Sequence, residues 1–383
     1  MDVTGTQNAR FVNGNPSRIF DAGNGPFFDA NSGRLIQGPN NFNDVPDLQN
    51  ANLSVLINGS LVSGKVEGSF GTDADAIASN GQTRGGINLT QAYLQLTPTG
   101  TITLIAGKFE TLAGAEVIEA PGNSNYSRSY DFGEAIPFTH TGVRLTWAAT
   151  PKVNVILGAN NGWDDWKFVG KKKTLEFGLG INPSPGYGLS LVTYNGNDFA
   201  LGGNATAVTG FTTSAPGLFT NRMLYDGVLT VHATSALTLI GEYDNGTQLP
   251  DNGTYFPLAA HWNAVAGYAD YQFTGQWGLS LRKETFHDPQ GFRTGLGGFY
   301  GVPVVGGLFD GFGFPLANGG ARLQSNTATV NYTPGSNYIF RLEYRLDASD
   351  QPVFAFHNFN LTPTGIGRDH QSSLGAEVVV KFP

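Results

Sequence analysis

At 383 residues the chain can build one large β structure or two to three ordinary domains. Its lack of cysteine excludes disulfides, thiolate-held zinc, iron–sulfur clusters and cysteine-attached haem. A formal charge of −8 argues against nucleic acid as a partner, since that calls for basic surface, and a charged fraction of 14% lies well below the roughly 25% of a soluble domain.

Residues 1–30 are rich in Asn, Gly and Asp and read as an N-terminal periplasmic tail or lumenal insert, with the sheet structure confined to 31–383. The Met-Asp-Val start carries no basic segment followed by an apolar one, so an exported protein is expected here in its mature form. No apolar run approaches the ~18 residues of a membrane helix, which says nothing about crossing by strands. From Leu53 onward, period-2 alternation recurs in fifteen segments. They begin near Leu53, Lys65, Asn88, Ile102, Thr139, Val153, Thr174, Tyr187, Met223, Leu237, His261, Trp277, Leu323, Tyr338 and Ser372. Short links at Ser60–Ser63, Thr97–Thr101, Ala149–Lys152, Asn182–Gly186, Thr234–Ala236, Thr274–Gln276 and Thr333–Ser336 alternate with long ones. The long ones fall around 71–86, 112–137, 161–172, 195–221, 245–257, 288–320 and 348–370.

This pattern predicts an all-β fold: a transmembrane antiparallel up-and-down β-barrel with short periplasmic turns and long extracellular loops. Bacterial barrels have even strand numbers, so about 16 strands are expected, and Gly33–Gly38 is the candidate for the missing first one. The faces of the strands support it. In Arg341-Leu342-Glu343-Tyr344-Arg345-Leu346-Asp347 every second residue is charged and the others are apolar. Val143, Leu145 and Trp147 oppose Arg144; Leu374, Ala376, Val378, Val380 and Phe382 oppose Glu377 and Lys381. On the apolar face, Trp147, Tyr187, Phe273, Trp277, Tyr332, Tyr338 and Phe382 sit beside the short turns, as an interfacial girdle would. Phe70, Phe109, Tyr225, Tyr243 and Tyr344, one strand length away, are expected to form the other girdle. Lys173 and Lys283 break the parity near outer strand ends, where a long side chain can snorkel.

The water-facing set mixes signs. Residues expected to line a pore are Lys108, Glu110, Arg144, Glu176, Asp226, Glu242, Arg282, Glu284, Arg341, Glu343, Arg345 and Glu377, with Lys65, Lys381, Glu67, Asp244, Asp270 and Asp347 on the same face. The 112–137 loop carries Glu116, Glu119, Arg128, Asp131 and Glu134 among small residues. It either folds inward, forming a constriction opposite wall arginines such as Arg144 and Arg341, or stays outside as a surface loop. Acids outnumber bases in this set, so an inward loop predicts a weak, salt-sensitive cation preference.

The stretch Gly107-Lys108-Phe109-Glu110-Thr111-Leu112-Ala113-Gly114-Ala115-Glu116-Val117-Ile118-Glu119-Ala120-Pro121 resembles a segment of the β-barrel porin-2 (OmpL-like) family. So do Asn125-Tyr126-Ser127-Arg128-Ser129-Tyr130, Pro137-Phe138-Thr139-His140-Thr141-Gly142, Asn161-Gly162-Trp163-Asp164 and Gly71-Thr72-Asp73-Ala74. The resemblance spans roughly residues 70–165 and implies a porin-like outer-membrane protein without specifying a solute.

Signs of catalysis are poor. There is no phosphate-binding glycine loop and no His-Glu-x-x-His. The six histidines, at 140, 232, 261, 287, 357 and 370, share no ligand spacing. His261 with Asn263 is the nearest hint of a hydrolase, but parity places both on the lipid face. Asp73, Asp75, Asp164 and Asp165 offer oxygen ligands for calcium, although solvated loop charge accounts for them as well. No enzyme, catalytic residue, metal or cofactor is therefore expected. The expected role is a porin in the outer membrane of a Gram-negative bacterium, passing small hydrophilic solutes or ions passively. Its partners would be membrane lipid, lipopolysaccharide and those solutes, with homo-oligomers left open. The alternatives are a sheath or scaffold around a partner such as an electron-carrying cytochrome, a surface adhesin, and a barrel-embedded hydrolase.

Overall fold

The computed structural model describes residues 2–9, 28–29, 34–35, 46–71, 73–74, 77, 79, 86–168, 172–199, 219–250, 259–293, 320–351 and 369–382, those up to 49 by backbone alone. Asp75 and His357 lie outside the described residues.

Sixteen antiparallel strands close into a barrel. In chain order they are β1 (Asp2–Ala9), β2 (Pro46–Ile57), β3 (Val62–Phe70), β4 (Ile87–Thr99), β5 (Ile102–Glu110) and β6 (Thr139–Thr150). Then come β7 (Val153–Asn160), β8 (Thr174–Ser184), β9 (Tyr187–Phe199), β10 (Phe219–His232) and β11 (Leu237–Gln248). The last are β12 (Ala260–Gln272), β13 (Trp277–Asp288), β14 (Ala321–Tyr332), β15 (Tyr338–Ser349) and β16 (His370–Lys381). Each strand from β2 onward pairs with its successor, and β1 closes the ring by pairing with β2 and with β16, where Thr4 faces Lys381.

That closure corrects the reading of the N-terminus. Of the candidate Gly33–Gly38 only Arg34–Leu35 lies within the described residues, and it pairs with Phe28–Asp29 in a separate two-stranded ribbon and not with a barrel strand. The seat is taken by Asp2–Ala9, inside the stretch read as tail or insert. Backbone pairing needs only an extended segment of the right length, so a polar stretch without apolar alternation can fill it.

The short links all lie at one end of the barrel and the long ones at the other, because each strand reverses the direction of the last. Threonine builds several of the short turns. Thr234 Oγ1 accepts the N–H groups of Ala236 and Leu237, and Thr274 Oγ1 those of Gln276 and Trp277. This local bonding satisfies backbone donors at the strand ends.

Along β15, Phe340, Leu342, Tyr344 and Leu346 are exposed outside, whereas Arg341, Glu343, Arg345 and Asp347 are buried inside. The same division runs round the barrel, so the outer surface is an apolar belt and the interior is charged. Trp147, Tyr187, Phe273, Trp277, Tyr338 and Phe382 are exposed on the belt at the short-turn end. Phe70, Tyr225, Tyr243 and Tyr344 are exposed further along. Phe109 is not: its ring is 2% exposed and lies inside, with the Arg144 guanidinium 4.3 Å from its centre. Gly107 has φ 138°, a conformation that side-chain-bearing residues rarely adopt, and the kink breaks parity just before Lys108 and Phe109, both buried. Lys173 precedes β8 and bonds Asn161 Oδ1 at 2.7 Å, so it breaks no strand parity, while Lys283 does face outward.

A charge placed on the belt should be far worse than one placed inside. Leu145 sits between outward Val143 and Trp147, and Thr146 shares the inner side with Arg144. Leu145→Arg is expected to cost about 2–4 kcal/mol in lipid, whereas Thr146→Arg is tolerated. Equilibrium unfolding from vesicles measures both, and equal losses would overturn the face assignment.

Candidate functional site

The link between β5 and β6 runs inside the barrel. An irregular segment there must bond its backbone groups to protein, and charged wall residues supply the partners. Wall carboxylates take loop N–H groups. Asp226 Oδ2 accepts from Gly114 at 3.1 Å and Glu242 Oε1 from Ala115 at 2.9 Å. Glu343 accepts from Tyr126 at 2.7 Å and Ser127 at 3.0 Å, and Glu284 from Tyr130 at 2.6 Å. Asp270 receives the Ser124 hydroxyl at 2.8 Å, and Asp347 the Tyr130 hydroxyl at 2.8 Å.

Wall arginines take the loop carbonyls. Arg282 donates to Ser127 O and Glu116 Oε1, both at 2.6 Å. Arg345 donates to Arg128 O at 2.7 Å; Arg341 donates to the carbonyls of Ala120 and Asn123 and to Glu377. The arginines also pair among the wall acids: Arg345 with Asp347 at 2.8 Å and Arg282 with Glu284 at 3.3 Å. Such charge-assisted bonds are roughly twice as strong as neutral ones and hold the segment in one place.

Apolar contacts complete the seat. Phe132, Ile136 and Phe138 of the loop join Val192, Tyr194, Leu224, Trp262, Ala264, Phe286 and Leu323 of the wall in one buried cluster. Trp262 Nε1 donates to Ala135 O at 3.0 Å. Its inner-face neighbours on β12 are Ala260, Ala264 and Ala266, whose small side chains leave room for the loop. A Cβ at Gly375 would strike the Tyr126 ring at 2.5 Å, so this wall position is fitted to the loop as well. Near the loop's end Trp163 lies under two guanidinium groups, Arg222 and Arg293, each 5.0 Å from its ring.

The predicted wall residues Lys108, Arg144, Glu176, Asp226, Glu242, Arg282, Glu284, Arg341, Glu343, Arg345 and Glu377 are all buried on the inner face. Glu110 joins them through Gln91 at 2.7 Å. The loop residues divide. Glu116, Asp131 and Glu134 are buried, while Glu119 and Arg128 are half-buried. Arg128 is braced by the loop carbonyls of Val117 and Ile118, at 3.0 and 2.9 Å. Glu119 lies beside Glu67 and Glu110, and burial pushes its carboxyl above the ordinary range, Glu110 adding to it.

The wall arginines expected opposite the loop already have partners of their own. Arg144 is locked to Glu176 at 2.5 and 2.8 Å, and Arg341 is part of the loop's own seat. Buried guanidinium groups left unpaired would be costly, so the fold spends them on carboxylates and carbonyls. Sequence reasoning missed Trp262, Tyr130, Asn123 and Arg293 as parts of the site. Trp262 alone had a legible signal, an inward tryptophan in a row of alanines.

The hydrolase hint fares poorly in geometry. His261 is exposed on the outer face, its Nδ1 3.2 Å from Thr247 Oγ1. His140 is buried, with Nδ1 3.1 Å from Gly162 O and its ring stacked on Tyr194. Among the calcium candidates, Asp164 has a structural task. It has φ 58°, and its Oδ1 accepts the N–H groups of Phe138 and Thr139, both at 2.8 Å. Burial pushes its carboxyl up to about 6, against the opposing pull of those two N–H groups. A carboxyl raised in the folded state stabilises fully below its ordinary 3.8, and that contribution is lost as pH rises through about 6. Asp164→Asn keeps an acceptor and tolerates the positive φ, so it should flatten the stability profile over that window. Asp164→Ala loses both bonds and strains the backbone, costing about 2–4 kcal/mol. Unfolding midpoints across pH test the pair, and a profile unchanged in the Asn variant would contradict the assignment.

A family model described as Putative beta-barrel porin-2, OmpL-like, matches residues 21–382. No curated protein matches the chain in sequence. Among solved structures, the outer-membrane channel DcaP of Acinetobacter baumannii superposes with a TM-score of 0.60 at 12% identity, covering 100% of this chain and 96% of that one. The trimer form of OmpT, an outer-membrane protein of Vibrio cholerae, gives 0.60 at 10%, covering 100% and 98%. The anion-selective porin of Comamonas acidovorans gives 0.60 at 9%, with the same coverage. At such identities the likeness is one of fold.

Proposed function

The chain belongs to the Putative beta-barrel porin-2, OmpL-like family, and on that premise we propose that it is an outer-membrane porin passing small hydrophilic solutes or ions passively through a charged lumen. The observation that carries the proposal is the β5–β6 loop seated inside the barrel by wall charges. A belt of apolar residues outside and ionic residues inside suits a water-filled passage through lipid. A loop laid across it narrows that passage without closing the wall.

In this reading Glu119 and Arg128 border the constriction, and Glu116, Asp131 and Glu134 hold the loop to the wall. The remaining charged wall residues set the field along the path. Because paired arginines cancel many acids, the acid surplus yields a modest cation preference. The selectivity stated for the Comamonas porin is not carried over, since the fold is shared but the charges are each chain's own.

The seated loop also favours transport over a sheath around a second protein, since the space for a partner is crossed by the chain itself. Assembly into homo-oligomers embedded in lipid and lipopolysaccharide is part of the proposal, in keeping with the trimer form of the Vibrio neighbour.

Single-channel recording of the refolded chain in planar bilayers tests the reading, with sugar-driven liposome swelling as a second measure. Stepwise conductance and size-limited sugar entry are expected. Folded, heat-modifiable protein that inserts without conducting would overturn it.

A further inference from the structure

We propose that the chain binds one hard divalent cation of the calcium type between Asp131 of the inward loop and Glu242 and Asp244 of β11. Oxygen atoms of these three carboxylates lie within 4.8 Å of one another. Asp131 is 1% exposed, Asp244 0% and Glu242 4%, so water does not screen them. A fourth acid adjoins them: Asp226 on β10 stands directly opposite Asp244 in the strand register, on the same inner face.

Like charges directly opposite on neighbouring strands destabilise a sheet, and burial magnifies the repulsion. Elsewhere in this lumen Glu176, Glu284, Glu377 and Asp347 each meet an arginine. Here, among the described residues, none of the four carboxylates forms an ion pair with a basic side chain. Neither oxygen of Asp131 or of Asp244 accepts from an N–H group or from a hydroxyl, and Asp226 Oδ1 does not either; Asp244 meets only the carboxyl groups of Asp131 and Asp226. Glu242 is better served, accepting from Ala115 N–H at 2.9 Å and from the Tyr268 hydroxyl at 2.9 Å. Those two bonds orient its carboxylate and leave further lone pairs for a ligand.

Buried acceptor-only oxygens without donors call for a cation or for protons. A set made wholly of carboxylate oxygen suits calcium, which takes six to eight oxygens with loose geometry, and does not suit metals that prefer nitrogen or sulfur. The placement gives the ion a task. Asp131 opens the single helical turn Asp131–Ala135, which packs on β11, β12 and β13, so the cation would pin the middle of the loop to the wall. This assignment needs only the fold, and it stands whether or not solutes pass through the barrel.

The full chain, refolded in detergent and stripped with a chelator, is titrated with calcium chloride by calorimetry. Terbium is the second probe, its luminescence sensitised by the nearby Tyr130, Tyr268 and Trp262. One calcium per chain is expected, with a raised unfolding midpoint that the chelator reverses. Asp131→Asn should weaken binding by about a hundredfold, because affinity tracks ligand charge. Asp131 lies outside the strands, which keeps this variant foldable, and Asp131→Asn with Asp244→Asn should abolish binding. Glu67→Gln, in the separate acid group with Glu110 and Glu119, should leave it intact. Native protein that binds no calcium at millimolar concentration would overturn the site, and infrared bands of protonated carboxyls lost in Asp131→Asn would then assign shared protons instead. Calcium binding unchanged in Asp131→Asn would equally overturn it, by placing the ion elsewhere.

Discussion

Deletion of residues 372–383 should abolish insertion into lipid. β16 is bonded on both sides, to β15 through the register from Tyr338↔Val380 to Ala348↔His370 and to β1 through Thr4↔Lys381 and Gln7↔Val378. Without it the barrel loses its closing seam, and two strand edges face hydrocarbon. Each backbone group left unpaired there costs several kcal/mol, more in sum than a barrel's whole stability. The loss extends inward: Arg341 would lose Glu377, and Tyr126 the glycine it packs over. Heat-modifiable mobility on gels and protease protection in vesicles measure the outcome. A truncated chain that still embeds would mean that β1 closes directly on β15, contrary to the observed order.

Much of the barrel was legible because lipid and water impose opposite demands on alternate residues. Arg341 through Asp347 reads as an inside–outside strand from parity alone, and so do the outer Leu342 and the inner Glu343. The alternation of short and long links gave the strand directions and the even total. β1 was not legible, since pairing is a property of the backbone and Asp2–Ala9 has no apolar face to announce it. Phe109 failed for a related reason, because the positive φ of Gly107 shifts parity and no periodicity encodes it. Within the site, the wall acids and arginines were found by face, and the loop by its length and charge. Their partners were not. Whether Glu116 faces open lumen or Arg282 depends on chain segments separated by 166 positions, and only the closed fold brings them together.

Replacing residues 112–137 by a short glycine–serine link should raise single-channel conductance severalfold and strengthen the preference for cations. Removal opens the lumen, and it strips partners from Asp226, Glu242, Glu284 and Glu343, which now hold loop N–H groups. Those carboxylates would stand hydrated in the passage and draw cations, within a screening length of roughly 8–10 Å at ordinary salt. Arg282 and Arg345 also lose loop carbonyls, but each keeps a wall acid beside it, so anions gain less. Point variants separate seat from lining. Under the proposed function Glu119→Gln should lower the cation preference with little change in conductance, since this half-buried side chain is the one placed at the constriction. Glu116→Gln instead weakens the bond to Arg282, and should make the conductance noisier as the loop detaches at intervals. Reversal potentials under a salt gradient and open-state current noise are the two readouts. The preference must fade as salt rises, because it arises from screened charge. Unchanged conductance after loop replacement would show that the loop does not narrow the path, and the constriction would then have to lie among the wall residues themselves.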